Sequence, residues 1–382
     1  MNVSIGSKTR PYRTVSFNDR LNEVELIEQR LLPHQFKTVK TGTYRATARA
    51  ITDMVVRGAG AIGATAAYGF AQGINAFRGS NLRKFEVHLE MVFQVLKNAR
   101  PTAVDPLNAL NQIRKQLPQG ATVVAQQAKA IELAQAFAEE NVRDCIGIGV
   151  VGAGLIRSGC RVLTHCNAGW LAFVDIGSVT APIYAAHRAG TKFHVFCSET
   201  RPRSQGSTLT AWELEQEGVS HEIISDNAAG YLMQQGEVDL VIVGSDRTLG
   251  RTGEVANKIG TYTRAVLAHR HKIPFYVAIP LSTIDWDLEN GAKIPIEERD
   301  ENEVLGAWGV DPRGKRTFVR VGNPTSHARN PGFDVTPAEL ITGIITPQGI
   351  YRPKELWKHR RRLGFDDGRT SRITPNGGLN EA

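Results

Sequence analysis

From about Cys160 onward, short β-rich runs alternate with amphipathic stretches. The β-rich runs fall at 161–166, 192–197, 221–225, 239–243 and 274–279. Helix-like stretches lie between them at 181–189, 208–216, 230–235 and 259–269. This alternation is the pattern of βαβ units and predicts a parallel sheet in an α/β fold. The preceding third has a different period. Helical spacing is read at 22–31, 47–56, 84–98, 106–116 and 122–144, with a further helix after the Gly-rich stretch 57–63. The sequence therefore divides into a mainly helical N-terminal unit over 1–145 and an α/β unit over 146–365. A polar, Gly/Asn-rich tail over 366–382 is expected to be disordered.

With 382 residues, each unit is long enough to bury its own core. Four cysteines without C-x-x-C spacing fit a reduced, cytoplasmic chain better than a disulfide framework or a zinc site. The N-terminus lacks the apolar region of a signal peptide, and no window reaches the roughly 18 apolar residues of a membrane span. Neither secretion nor a membrane partner is expected. The net charge of +8 suits an anionic substrate. It would also suit nucleic acid, but no basic stretch is interleaved with aromatic residues, so a nucleic-acid partner is not expected. The basic run 354–362 reads as a solvated helix end.

A β-rich run that stops in small residues presents its last side chains at the carboxyl edge of the sheet, where open α/β sheets bind ligands. Two such ends carry chemistry. Cys166 closes the run Val-Leu-Thr-His-Cys-Asn-Ala-Gly, and Asp246 closes Val-Ile-Val-Gly-Ser-Asp-Arg. A thiol and a carboxyl group there can share proton-transfer work. Each alone also has an ordinary reading, as a buried thiol or a turn cap. His165 and Cys166 are chain neighbours on a strand and should point to opposite faces, which argues against a thiol–imidazole pair.

Other motifs surround them. Arg57-Gly58-Ala59-Gly-Ala-Ile-Gly63 opens a helix and suits either an anion at the helix start or a tight packed turn. Asn257 and Lys258 read as a helix cap with a phosphate-binding lysine. The polar loop 199–206, which includes Gln205, lies on the same sheet edge. Gly147-Ile-Gly-Val-Val-Gly152 matches a dinucleotide fingerprint but follows a helix rather than a strand. It is expected to be a flexible junction between the two units, not a nicotinamide site.

Together these blocks resemble the methylthioribose-1-phosphate isomerase family, in the wider group with ribose-1,5-bisphosphate isomerases and the alpha-type regulatory subunits of initiation factor 2B. The resemblance runs from about Thr43 to Pro353. It is carried by Val-Arg-Gly-Ala-Gly-Ala-Ile-Gly (56–63), Ala-Arg-Pro-Thr-Ala-Val (99–104), Thr-His-Cys-Asn-Ala-Gly (164–169), Glu-Thr-Arg-Pro (199–202) and Leu-Thr-Ala-Trp-Glu-Leu (209–214). It continues in Ala-Asn-Lys-Ile-Gly-Thr-Tyr (256–262), Pro-Leu-Ser-Thr-Ile-Asp (280–285), Ile-Pro-Ile-Glu-Glu-Arg (294–299) and Phe-Asp-Val-Thr-Pro-Ala-Glu-Leu-Ile-Thr (333–342).

The resemblance implies a Rossmann-like C-terminal domain, a homodimer, and an aldose–ketose isomerase of methionine salvage that needs no metal or other cofactor. It implies Cys166 and Asp246 as the catalytic pair. It places Arg57, Gly58, Ala59, Arg100, Gln205, Asn257 and Lys258 around the phosphorylated pentose. Two alternatives stay open: isomerisation of another sugar 1-phosphate (5-deoxyribose 1-phosphate, ribose 1-phosphate or ribose 1,5-bisphosphate), and a non-catalytic sugar-phosphate sensor. Several positions depart from the family pattern. Gly60 stands for the usual Pro, Asp105 for the usual Asn, and Arg203-Ser204 for a larger apolar or aromatic pair. Asp175-Ile-Gly177-Ser178 replaces Tyr-Gly-Thr-Ala, and the stretch from Asp246 to Asn257 is one residue longer. These changes leave the reaction type alone and bear on the 5-substituent of the sugar.

Overall fold

Residues 22–31, expected to be helical, form a strand followed by a short turn. In Glu23–Ile27, Val24 and Leu26 are buried while Glu23 and Glu25 are less so, a period of two rather than 3.6. A computed structural model describes residues 1–100 and 103–365, so the tail 366–382 lies outside the described residues. Strands β1 (Asn2–Ile5) and β2 (Lys8–Pro11) form a hairpin. An antiparallel sheet follows, made of β3 (Val15–Asn18), β4 (Glu23–Ile27) and β5 (Thr38–Thr41). The N-terminal part is thus not purely helical.

Five helices come next: α1 (Tyr44–Thr52), α2 (Ala59–Asn75), α3 (Leu82–Lys97), α4 (Val104–Gln116) and α5 (Val123–Gly152). Helix α2 is buried from Gly60 to Ile74 and is built largely of Ala and Gly. Small side chains let α1, α3, α4 and α5 all pack closely on it, which makes it the axis of the N-terminal core.

Helix α5 is 30 residues long, about 45 Å at 1.5 Å per residue. It begins against α2 and ends against the C-terminal sheet. Gly147, Gly149 and Gly152 lie inside it, so the expected flexible junction is a continuous helix. The glycines serve close packing. A Cβ on Gly147 would stand 2.7 Å from Pro347 Cβ, and one on Gly152 would stand 2.7 Å from Pro182 Cγ.

The C-terminal part holds β6 (Arg161–Thr164), α6 (Thr180–Arg188), β7 (His194–Ser198), α7 (Ala211–Gln216), β8 (His221–Ile224), α8 (Ala228–Gln234) and β9 (Leu240–Val243). It continues with β10 (Arg247–Leu249), β11 (Val255–Lys258), α9 (Thr261–Arg270), β12 (Phe275–Ala278) and β13 (Ile284–Asp285). Then come α10 (Asn302–Leu305), β14 (Gly306–Val310), β15 (Arg316–Arg320), β16 (Phe333–Thr336), β17 (Gly343–Thr346) and β18 (Gly349–Tyr351). The large sheet has the order β18-β17-β12-β9-β6-β7-β8, parallel except for β18. The alternation in the sequence thus gave the α/β class and five of these strands to within two residues at either end. Apolar clusters cover both faces of the sheet.

From β6 the chain builds outward through β7 and β8, then returns to add β9 on the other side of β6. The crevice between the carboxyl ends of β6 and β9 is therefore the topological switch point, where such sheets bind ligands. A second sheet, β13-β10-β11-β16, begins just past the end of β9 and borders that crevice.

The close packing of α5 yields a test. Gly147→Val forces a branched side chain against Pro347 and should lower stability by about 1–3 kcal/mol, read by urea denaturation. A change below about 0.5 kcal/mol would contradict the packing described here.

Candidate active site

Cys166 lies two residues beyond β6, and Asp246 three residues beyond β9, on neighbouring strands at the switch point. The thiol is buried, and its residue takes a left-handed backbone conformation (φ +66°). For a residue with a Cβ that costs about 1–2 kcal/mol. Two contacts hold it. The Cys166 N–H donates to Thr200 Oγ1 (2.9 Å), and Thr210 Oγ1 donates to the Cys166 carbonyl (2.7 Å). Thr200 is itself anchored, since the Asp226 carboxylate accepts from Thr200 N (3.0 Å), Arg201 N (2.7 Å) and Arg264 Nη2 (2.7 Å). His165 turns away from the thiol: its Nε2 lies 2.8 Å from the Ile259 carbonyl. Burial and the cationic Arg264 hold that imidazole well below its usual pKa, hence neutral.

Lys258 is the charge that faces the pair. It is not beside a helix cap, as the sequence suggested, but inside the buried strand β11. There the alternation of the strand, rather than a helix start, fixes where its side chain goes. Its Nζ donates to the Gly332 carbonyl (2.7 Å) and sits 4.6 Å from the centre of the Phe333 ring. Burial pushes the Lys258 ammonium down, and the nearby Cys166 and Asp246 oppose that. Burial likewise pushes the Cys166 thiol up, against Arg57 and Lys258. It also pushes the Asp246 carboxyl up, against Lys258, Arg57 and Arg100. At neutral pH the sulfur is thus a thiol, and Asp246 holds its proton more tightly than an ordinary aspartate.

Asn257, expected as a helix cap, is buried beside Lys258, and its Nδ2 donates to Thr261 Oγ1 (3.0 Å). The start of α9 is capped instead by Asp334, which accepts from Gly260 N (2.6 Å) and Tyr262 N (3.1 Å).

The remaining predicted residues divide between two adjoining spaces. Gly58, Ala59, Arg100 and Asp246 line one small cavity. Gly58 has φ +88°, a conformation glycine adopts freely, and lets α2 begin at Ala59 with its first N–H groups unpaired within the helix. Such a helix start favours an anion. The buried Arg100 Nε finds no hydrogen-bond acceptor among the described residues, and its Nη2 lies 3.6 Å from Glu297 Oε2. Arg57 and Gln205 line the second space, a cleft of about 840 Å³ that also touches Arg203, Ser204 and the β14–β15 hairpin with Trp308. The Gln205 Oε1 is buried without a donor among the described residues.

Arg57 is aimed by a relay that the sequence reading missed. Its Nη1 donates to Asn167 Oδ1 (2.7 Å) and its Nη2 to the Asn167 carbonyl (2.8 Å). Asn167 Nδ2 donates to the buried Glu213 (2.8 Å), which also accepts from Trp170 N (2.7 Å), Leu171 N (3.0 Å) and Tyr184 OH (3.2 Å). Burial pushes the Glu213 carboxyl up to about 7, while four donors favour its ionised form. The signal was present as a lone acidic residue inside Leu-Thr-Ala-Trp-Glu-Leu, but nothing local marks it as buried.

Of the altered positions, Asp175 accepts from Met1 N (2.7 Å) and does not line either space. Arg203 does line the cleft, and its Nη1 donates to Glu303 Oε1 (2.9 Å). Arg299 holds the same carboxylate from its other side, Nε to Oε2 at 2.9 Å. Among the described residues no group of three or more His, Cys, Asp or Glu side chains is placed to hold a metal ion.

With this geometry in view, the chain is placed by its relatives. It belongs to the initiation factor 2 subunit family, matched over residues 55–353. Within that family it is 46% identical to the methylthioribose-1-phosphate isomerase of Brucella anthropi, over 90% of this chain and 95% of that one. Identity to the protein of the same name from Rhizobium meliloti is 45%, covering 92% and 99%. The crystal structure of 5-methylthioribose 1-phosphate isomerase from Pyrococcus horikoshii OT3 superposes with a TM-score of 0.81 at 40% identity, covering 93% of this chain and 96% of that one. A translation initiation factor eIF-2B delta subunit from A. fulgidus gives 0.77 at 35% identity, covering 93% and 100%.

The Glu303 cluster carries a pH test. Burial opposes its ionisation, but hydrogen bonds from Arg299 and Arg203 outweigh it and hold the carboxyl at about 2, against an ordinary 4.5. Its stabilising contribution is complete above pH about 4.5 and is lost as the pH falls toward 2. Glu303→Gln should therefore flatten the acid limb of a stability-against-pH curve between about pH 4.5 and 2. An unchanged limb would rule out the cluster as its source.

Proposed function

We propose that this protein is an aldose–ketose isomerase that converts 5-methylthioribose 1-phosphate to 5-methylthioribulose 1-phosphate, a step of methionine salvage. The carrying observation is the meeting of Cys166 and Asp246 at the switch point, with Lys258 acting on both. The names of the relatives support the same reaction.

The chemistry fits those residues. A pentose phosphorylated on its anomeric carbon cannot open as a hemiacetal does. The bond from C1 to the ring oxygen must break while the phosphate stays. Asp246, whose carboxyl is pushed up by burial, is the acid for the ring oxygen. Hydrogen then passes from C2 to C1, and the C2 hydroxyl loses its proton to give the ketone. Cys166 is the group that assists this transfer. The α2 start, Arg57, Arg100, Gln205, Asn257 and Lys258 hold the sugar phosphate through ring opening.

Arg203 and Ser204 in the cleft favour a second reading of the 5-substituent, in which a more polar sugar 1-phosphate is accepted. We further propose a cytoplasmic homodimer. The exposed Ile146 and Val150 on α5 offer it an apolar strip.

Turnover is read by NMR as ketose formed from methylthioribose 1-phosphate, with ribose 1-phosphate, 5-deoxyribose 1-phosphate and ribose 1,5-bisphosphate in parallel. Turnover of methylthioribose 1-phosphate is expected to lead. Binding of all four without conversion would make the chain a sensor instead. Cys166→Ser and Asp246→Asn should each lower kcat by about 10²–10⁴-fold. Near-normal rates in either variant would remove that residue from the mechanism.

A further inference from the structure

Asp105 stands in the first turn of α4 and is 1% exposed. One carboxyl oxygen is tethered: Ser282 Oγ donates to Oδ1 at 2.7 Å, and Asn108 Nδ2 fixes the same turn through the Ser282 carbonyl at 3.1 Å. The other oxygen, Oδ2, is buried and has no hydrogen-bond partner among the described residues. Asp105 lines the small cavity shared by Gly58, Ala59, Arg100 and Asp246. An unpaired buried carboxylate oxygen costs stability, so its neighbours do not explain it.

The same cavity holds a complementary orphan, the buried Arg100 Nε. A ligand that completes both must bring an acceptor and a donor together. A phosphate dianion has acceptors only. It can satisfy Arg100 and the α2 start, but it cannot donate to Asp105 and would be repelled by it. A sugar hydroxyl beside a phosphate supplies the missing donor. Burial pushes the Asp105 carboxyl up to about 6, which still leaves it mostly ionised, and accepting, above pH 7.

We propose that Asp105 is a further substrate-contacting residue, its free oxygen accepting a hydrogen bond from a hydroxyl of the bound pentose phosphate. This inference rests on the isomerase reading of the site. It explains why a carboxylate stands beside a place that favours an anion: the residue selects the sugar, whereas Arg100 and the α2 start select the phosphate.

The test compares the wild type with Asp105→Asn and Asp105→Ala. The Asn variant keeps an acceptor in the same volume; the Ala variant removes it. With methylthioribose 1-phosphate, Asp105→Ala should raise KM about tenfold or more with a much smaller change in kcat. Asp105→Asn should recover most of that loss. Inorganic phosphate, used as a competitive inhibitor, should bind Asp105→Ala at least as tightly as the wild type. An unchanged KM in Asp105→Ala, or an equal weakening of inorganic phosphate and sugar phosphate, overturns the proposal. A wild type that turns over none of the sugar phosphates defeats the isomerase reading instead. Calorimetric binding of ribose 1-phosphate to the same three proteins then reads Asp105 directly, with the same order of affinities expected.

Discussion

Parallel pairing of β6 with β9 is the constraint on which the rest of the site depends. Leu163 stands opposite Val241 in that ladder, and the two chains then leave the sheet on the same edge. Because β9 is added on the far side of β6 from β7, the connections diverge there and leave a crevice. A thiol from one strand and a carboxyl group from the other enter it without any local sequence relation between them. Lys258 arrives from β11 in the second sheet, and Arg57 and Arg100 come from the connections before α2 and after α3 in the N-terminal part. Both halves of the chain thus supply charge to a place defined by one strand pair.

Burial then sets the chemistry. Water is largely excluded around Cys166 and Lys258, so each charged form is disfavoured unless another group answers it. Lys258 answers both partners: it favours the charged forms of Cys166 and Asp246, and both of them favour its own. Fixing such groups takes supporting structure that never meets a ligand. Asp226 ties down the Thr200 turn behind the thiol, and Glu213 ties down Asn167 behind Arg57. The buried Glu213 costs desolvation and returns geometry.

Much of this was legible in the sequence, for identifiable reasons. Runs such as Leu-Val-Ile-Val are too apolar and too β-branched to be anything but buried strand, so the sheet could be read from them. The pair Cys166/Asp246 was legible because both runs end in small residues. The strand Glu23–Ile27 was misread because five residues give too few periods to separate two from 3.6. Strand β17 was missed because Gly-Ile-Ile-Thr is short and bounded by turns. Asn257 and Lys258 looked like a helix start, yet α9 begins three residues after Lys258; the strand is made by pairing with β16, a partner some 75 residues away. Glu213 and Asp226 carry no local mark at all, since a carboxylate becomes a hub only through donors brought from elsewhere.

Helix α5 has a mechanical meaning. A rod about 45 Å long starts in the helical half and finishes wedged between Pro182 and Pro347 in the other, with glycines where bending would need room. The crossing between the halves is therefore a continuous helix packed on both, not a loop. The two halves are thus bound by one shared strut rather than by a linker.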